Sequence, residues 1–127
     1  MNPFKITKAA TLEGGVVVAN LEGQIGIEEA AVVSEFFEKL EQEGVPWAVV
    51  SLKGVDFIST AGVGALLYAV GGARKHGGDI VFIEFSPKTK AVFEFLDLHD
   101  FIVTAVELDG ALRTINDIKK GIRSPGG

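Results

Sequence analysis

Cysteine is absent from this 127-residue chain, which excludes disulfides, thiol nucleophiles and cysteine metal sites. Histidine is almost absent. His76 and His99 stand far apart without ligand-like spacing, so no metal and no cofactor are expected. Basic residues are too few and too scattered for a nucleic-acid footprint: 12 Lys and Arg face 17 Asp and Glu, a net charge of −5. The basic stretch Lys119-Lys120-Gly121-Ile122-Arg123 is expected to solvate a helix end and suit its dipole. Long apolar runs are also lacking. The least polar stretch, Val63 to Ala73, is broken by Gly64, Gly71 and Gly72 and is too short to span a bilayer. The opening Met1-Asn2-Pro3-Phe4-Lys5 carries no apolar leader, so a cytoplasmic protein without membrane insertion is expected.

The sequence sets of familiar enzymes are missing as well. Gly62-Val63-Gly64 begins like a dinucleotide loop, but Leu67 stands where the third glycine belongs. Gly72 to Gly77 resembles a phosphate loop until Gly78 replaces the lysine. No Gly-x-Ser-x-Gly elbow occurs. Asp97, His99 and Asp100 read as a solvated connection, and Glu35, Glu38, Glu41 and Glu43 as the polar side of a helix. The expectation is a protein that is not an enzyme.

What is present is a composition of 47% hydrophobic and 23% charged residues, enough to bury a core in one domain. Phe4 to Thr7 alternates as a half-buried strand does, and Val16 to Leu21 is richer in β-branched residues. The two read as a hairpin turning between Thr11 and Gly15, with Gly23 closing the second strand. From Ile27 the apolar residues Ala30, Ala31, Val33, Phe36, Phe37 and Leu40 recur at spacings of three and four, which predicts an amphipathic helix stopped by Gly44 and Pro46. Trp47 to Leu52 is a short, nearly continuous apolar run, which suits a strand covered on both faces. A loop over Lys53 to Ile58 then leads into a helix from Thr60 to Lys75, apolar nearly all round and so expected to be well covered. Ile80 to Glu84 reads as a strand, and Ser86-Pro87 as a helix start with serine as N-cap and proline at the first position. Phe101 to Thr104 predicts a short last strand, and Glu107 to Lys120 a last helix. The order β-β-α-β-α-β-α-(β)-α predicts an α/β fold: a mixed, mainly parallel sheet of four or five strands with about four helices. A single domain over 1–120 and a flexible tail over 121–127 are expected.

The segment Asp56-Phe57-Ile58-Ser59-Thr60-Ala61-Gly62 follows a buried strand and enters a helix, at the carboxyl end of the sheet where ligands gather in α/β folds. Free N–H groups and the positive dipole end at Ser59 and Thr60 would welcome a phosphate, and Gly62 would let a partner approach the backbone. In isolation a hydroxyl before a helix is simply an N-cap, which contributes about 1 kcal/mol.

The chain resembles the STAS family, the bacterial anti-sigma factor antagonists and the related domains of anion transporters and stress-signalling scaffolds. Four places carry the resemblance: Leu21-Glu22-Gly23-Gln24-Ile25; Asp56 to Gly64; Gly77-Gly78-Asp79-Ile80-Val81-Phe82 before Ser86-Pro87; and Ala111-Leu112. In antagonist members the hydroxyl two places before the signature glycine accepts a phosphate from a partner kinase. The resemblance makes Thr60 that acceptor, with Ser59 second. Ser59 stands where the family often has aspartate, and Gly26 where many antagonists have one after the second strand. The resemblance implies an anti-sigma factor antagonist working in a partner switch, with an anti-sigma factor that is a serine/threonine kinase as its partner and a phosphatase as a further one. Gly26, Asp56, Phe57, Ile58, Ser59, Thr60, Ala61, Gly62 and Val63 would form the partner surface. The alternatives are a STAS scaffold or transporter-associated subunit that binds partners without phosphorylation, a nucleotide site at the Thr60 helix start, and an enzyme of an unfamiliar kind.

Overall fold

The structure is a computed structural model that describes residues 3–122. Strands β1 (Lys5–Leu12) and β2 (Val16–Ile25) form the expected hairpin, turned by Gly14 and Gly15 at φ of 87° and 77°. Both angles lie in the left-handed region that glycine adopts without cost. Then follow α1 (Ile27–Gln42), β3 (Trp47–Ile58), α2 (Thr60–Lys75), β4 (Asp79–Ile83), α3 (Pro87–Phe95), β5 (Val103–Ala105) and α4 (Leu108–Lys119). The five strands lie in the order β1-β2-β3-β4-β5, antiparallel between β1 and β2 and parallel from β2 onward. The architecture is thus the mixed, mainly parallel sheet with four helices that the sequence predicts.

Period-two alternation divides the core between the two faces of the sheet. Val17, Leu21, Ile25, Ala48, Val50 and Leu52 point to one face, where α1, α2 and α3 cover them. Val16, Val18, Trp47, Val49 and Val81 point to the other, which α4 covers with Ala111, Ile115 and Ile118. Full burial of one such side chain stabilises the fold by roughly 1.5–3 kcal/mol, and Phe93, buried beside Phe82 and Phe85, ties the short α3 to the first face.

Several expectations need correction. β3 does not end at Leu52: it runs on through Lys53–Ile58, where a loop was expected. Val55 and Ile58 keep pairing with Gly23 and Ile25 of β2, and two register shifts along this pair absorb the polar residues that break the alternation. Gly23 likewise does not close β2. Its φ of 91° lies inside the strand, where a Cβ would come within 2.5 Å of the Pro3 carbonyl oxygen. The last strand begins at Val103 rather than Phe101, which is exposed in the preceding turn. α2 is not covered all round: Gly64, Tyr68 and Gly71 lie on an exposed side. Lys119 does more than solvate its helix end, for its Nζ donates to the Gly14 carbonyl at 3.2 Å and sits 5.3 Å from the centre of the Trp47 ring. The tail expected over 121–127 lies, beyond Ile122, outside the described residues.

Candidate functional site

β2 and β3 are parallel neighbours and end level with one another, Ile25 beside Ile58. One residue separates each from the helix that follows, Gly26 before α1 and Ser59 before α2. The two connections are joined, because the Ser59 N–H donates to the Ile25 carbonyl at 2.8 Å. The expected loop is therefore no loop: Asp56 to Ile58 finish a strand, Ser59 is the whole connection, and Thr60 to Gly62 are already the first turn of α2.

The two adjacent hydroxyls stand in different surroundings. Ser59 is half-buried, and its Oγ accepts the Gly62 N–H at 3.1 Å, the ordinary bond of an N-cap. Thr60 follows at the first helical position with its side chain exposed. The first turn of α2 holds no acidic residue, so the positive end of its dipole has no carboxylate on its own helix to offset it. Ser59 caps one first-turn N–H, while the N–H groups of Thr60 and Ala61 belong to the set that a helix cannot satisfy from within. Thr60, exposed, thus puts a hydroxyl at a helix start, a place that favours negative charge.

The α1 start beside it is built otherwise. Gly26 has no side chain to cap with, and its own N–H donates to Glu29 Oε1 at 2.9 Å. Glu28 and Glu29 place two carboxylates in the first turn of α1, so the two neighbouring helix starts differ in local charge.

Of the nine residues expected to meet a partner, Asp56, Phe57 and Thr60 are exposed. Gly26, Ser59 and Ala61 are half-buried, whereas Ile58, Gly62 and Val63 are buried. Those last three act from beneath. Gly62 corrects the sequence reading most directly: a Cβ there would lie 2.8 Å from both Ile25 Cγ2 and Ile58 Cγ1, so glycine lets the helix start seat on the strand ends and does not open the backbone to a partner. Phe57, 51% exposed, supplies an aromatic surface in the same stretch of chain. The sequence reading missed Ile27, which is 79% exposed at the first position of α1. Its spacing from Ala30 matches the buried stripe, but it lies at the end of the helix where the core stops. Spacing alone carried no signal of that. Among the described residues no cluster of His, Asp or Glu is arranged to hold a metal, and no helix is long and apolar enough to cross a membrane.

The STAS domain model matches residues 7–118, nearly all of the described chain. The chain belongs to the STAS domain family. Among solved structures it is similar to an anti-sigma factor antagonist from Mycobacterium paratuberculosis, with a TM-score of 0.76 and 22% identity over 89% of this chain and 96% of that one. It is also similar to the Bacillus cell fate determinant SpoIIAA in its phosphorylated form, with a TM-score of 0.65 and 18% identity over 88% of this chain and 99% of that one. The murine Solute Carrier 26 anion transporter Slc26a9 contains the same fold, at a TM-score of 0.69 and 14% identity over 80% of this chain but only 18% of that one. No curated protein matches the sequence. At these identities the structural likenesses establish the STAS fold, and the work of the Thr60 surface has to be argued from its own chemistry.

Proposed function

We propose that this STAS protein is an anti-sigma factor antagonist, which docks through the surface around Thr60 on an anti-sigma factor that is also a serine/threonine kinase, and which is released when Thr60 is phosphorylated. The observation that carries the reading is the exposed Thr60 hydroxyl on a helix start with no acidic residue in its first turn, beside a Ser59 hydroxyl already engaged as the cap. Thr60 is therefore the acceptor and Ser59 the second candidate. Phe57 and Ile27 provide exposed apolar surface for the docked state, with Asp56 exposed beside Phe57.

The switch works by charge. A phosphate adds about −1.5 to −2 charges and three strong acceptor oxygens. The α2 start tolerates that group through its free N–H donors and its dipole, so the fold stays as it is. A partner surface shaped for a neutral hydroxyl does not tolerate it, since a buried charge without a counter-charge is costly. In this reading the protein is the kinase's substrate and not an enzyme, a phosphatase resets it, and it acts in the cytoplasm without contacting nucleic acid.

Incubation with the cognate kinase and ATP, followed by peptide mass spectrometry, is expected to place one phosphate on the peptide containing Thr60. Absence of phosphate from both Thr60 and Ser59 while the two proteins bind would overturn the switch and leave a scaffold that binds without modification. Thr60→Glu is expected to weaken binding to the partner, and unchanged affinity would remove Thr60 from the interface.

A further inference from the structure

A cavity of about 190 Å³ lies between the C-terminal halves of α1 and α2, at the other ends of these helices from Gly26 and Thr60. Its depths are apolar, with Leu40, Val45, Ala48, Ala65, Ala69 and Ile80 among the walls. An apolar cavity of about 150 Å³ accommodates benzene, so the space fits a ring or a branched chain of that size. The rim carries two carboxylates and one imidazole, His76. Glu38 and Glu41 line it, whereas neither lysine nor arginine does. Glu41 Oε1 lies 3.3 Å from His76 Nδ1, and its other carboxylate oxygen lies over Gly72, 2.8 Å from where a Cβ would be. Glu38 is exposed and takes part in no ion pair among the described residues. Tyr68, 70% exposed, adds an aromatic ring at the same rim, and the face of such a ring attracts a cation.

We propose that this cavity binds a small organic ammonium ion, an aromatic or branched apolar body carrying a protonated amine. The apolar body enters between Ala65, Ala69 and Leu40, and the ammonium stays at the rim, where it pairs with Glu38 and competes with His76 for Glu41. The charge decides the class. A carboxylate or phosphate ligand would meet two carboxylates and no lysine or arginine. Room for the body comes from α2, whose Ala65, Ala69 and Gly72 leave space that larger side chains would fill. The site is independent of the Thr60 surface and of the switch proposed for it.

The test uses the whole protein, with phenethylamine as the cationic probe and phenethyl alcohol as its neutral counterpart, followed by backbone amide NMR. Phenethylamine is expected to bind saturably at about millimolar affinity, a reachable range for a ligand of so few atoms. The shifts are expected to centre on Ala65, Ala69, Gly72 and His76. The alcohol is expected to bind about three- to fivefold more weakly, the scale of an exposed ion pair. The double variant Glu38→Gln with Glu41→Gln is expected to bring the amine down to the affinity of the alcohol and to leave the alcohol unchanged. Ala69→Phe, which fills the cavity, is expected to remove both. Absence of saturable shifts at these amides, or shifts centred elsewhere, would overturn the site. Equal affinity for amine and alcohol in the unaltered protein would overturn the assignment to a cation. The glutamine variants change half-buried or exposed side chains, so their outcome does not depend on whether Ala69→Phe folds.

Discussion

Two helices of this protein begin with a serine cap, and the two caps do different work. Ser86, before α3, is half-buried and tied to β3 and to Thr89. Its Oγ donates to the Val55 carbonyl at 2.7 Å, lies 2.8 Å from Thr89 Oγ1 and accepts the Thr89 N–H at 3.3 Å. Thr89 is fully buried and donates in turn to the Ser86 carbonyl at 3.0 Å. Ser59, before α2, makes one side-chain bond, to Gly62, and is followed by an exposed threonine. Both sequences place a hydroxyl before a helix. One start has Pro87 at its first position and a half-buried serine that reaches across to β3 and meets the buried Thr89, whereas the other is followed by an exposed threonine. Each cap accepts one backbone N–H of its helix, and the difference lies in what else the serine reaches: Val55 and Thr89 at α3, nothing further at α2.

The sharpest way to break this contrast is at Ser86. Ser86→Ala removes a cap, worth about 1 kcal/mol, and also takes the hydroxyl donor from the Val55 carbonyl, while the Thr89 hydroxyl keeps its bond to the backbone carbonyl of residue 86. The expected loss is about 2–3 kcal/mol of folding stability, read as a lower urea midpoint with an unchanged slope. A loss below about 1 kcal/mol would show that the buried network adds nothing beyond an ordinary cap.

The contrast also shows what a sequence reveals. Ser86-Pro87 was legible because a serine followed by proline at the first helical position is a local signal, independent of what packs above it. The run Trp47 to Leu52 was legible for a similar reason, since a short, nearly continuous apolar stretch bounded by Pro46 suits a doubly covered strand. The extension of β3 through Lys53–Ile58 was not. Strand reading depends on period two, and the register shifts opposite Glu22 and Gln24 put Val55 and Ile58 three residues apart on one face. The position of Thr60 on α2 was legible, but its separation in role from Ser59 required the hydrogen bond to Gly62 and the exposure of the next residue. Gly62 was misread because the strand ends it sits on, Ile25 and Ile58, are 33 positions apart in the chain and meet only in the folded sheet.

A smaller effect is expected at Ser59. Ser59→Ala removes one half-buried hydrogen bond and should cost about 1 kcal/mol, roughly a third to a half of the Ser86 effect. The measurement is the same urea midpoint. Equal costs at the two serines would erase the distinction between the two caps.

The smallest expected change has the opposite sign. Thr60→Glu places a carboxylate in the first turn of a helix that has none there. The unfolded chain has no helix dipole to favour that charge, so the folded state alone gains, by about 0.3–1 kcal/mol at low salt. The gain should shrink as salt rises and screens the dipole. It should also depend on pH. The dipole holds the new carboxyl below its ordinary value of about 4.3, so the gain is present above that value and is lost as the pH falls and the group takes up a proton. If the variant is as stable as the parent or slightly more so, and still binds its partner weakly, the lost affinity belongs to the surface and not to unfolding. If instead Thr60→Glu destabilises the protein, the α2 start is not open in the way its exposure indicates, and the difference between the two serine-capped helices would have to be sought elsewhere.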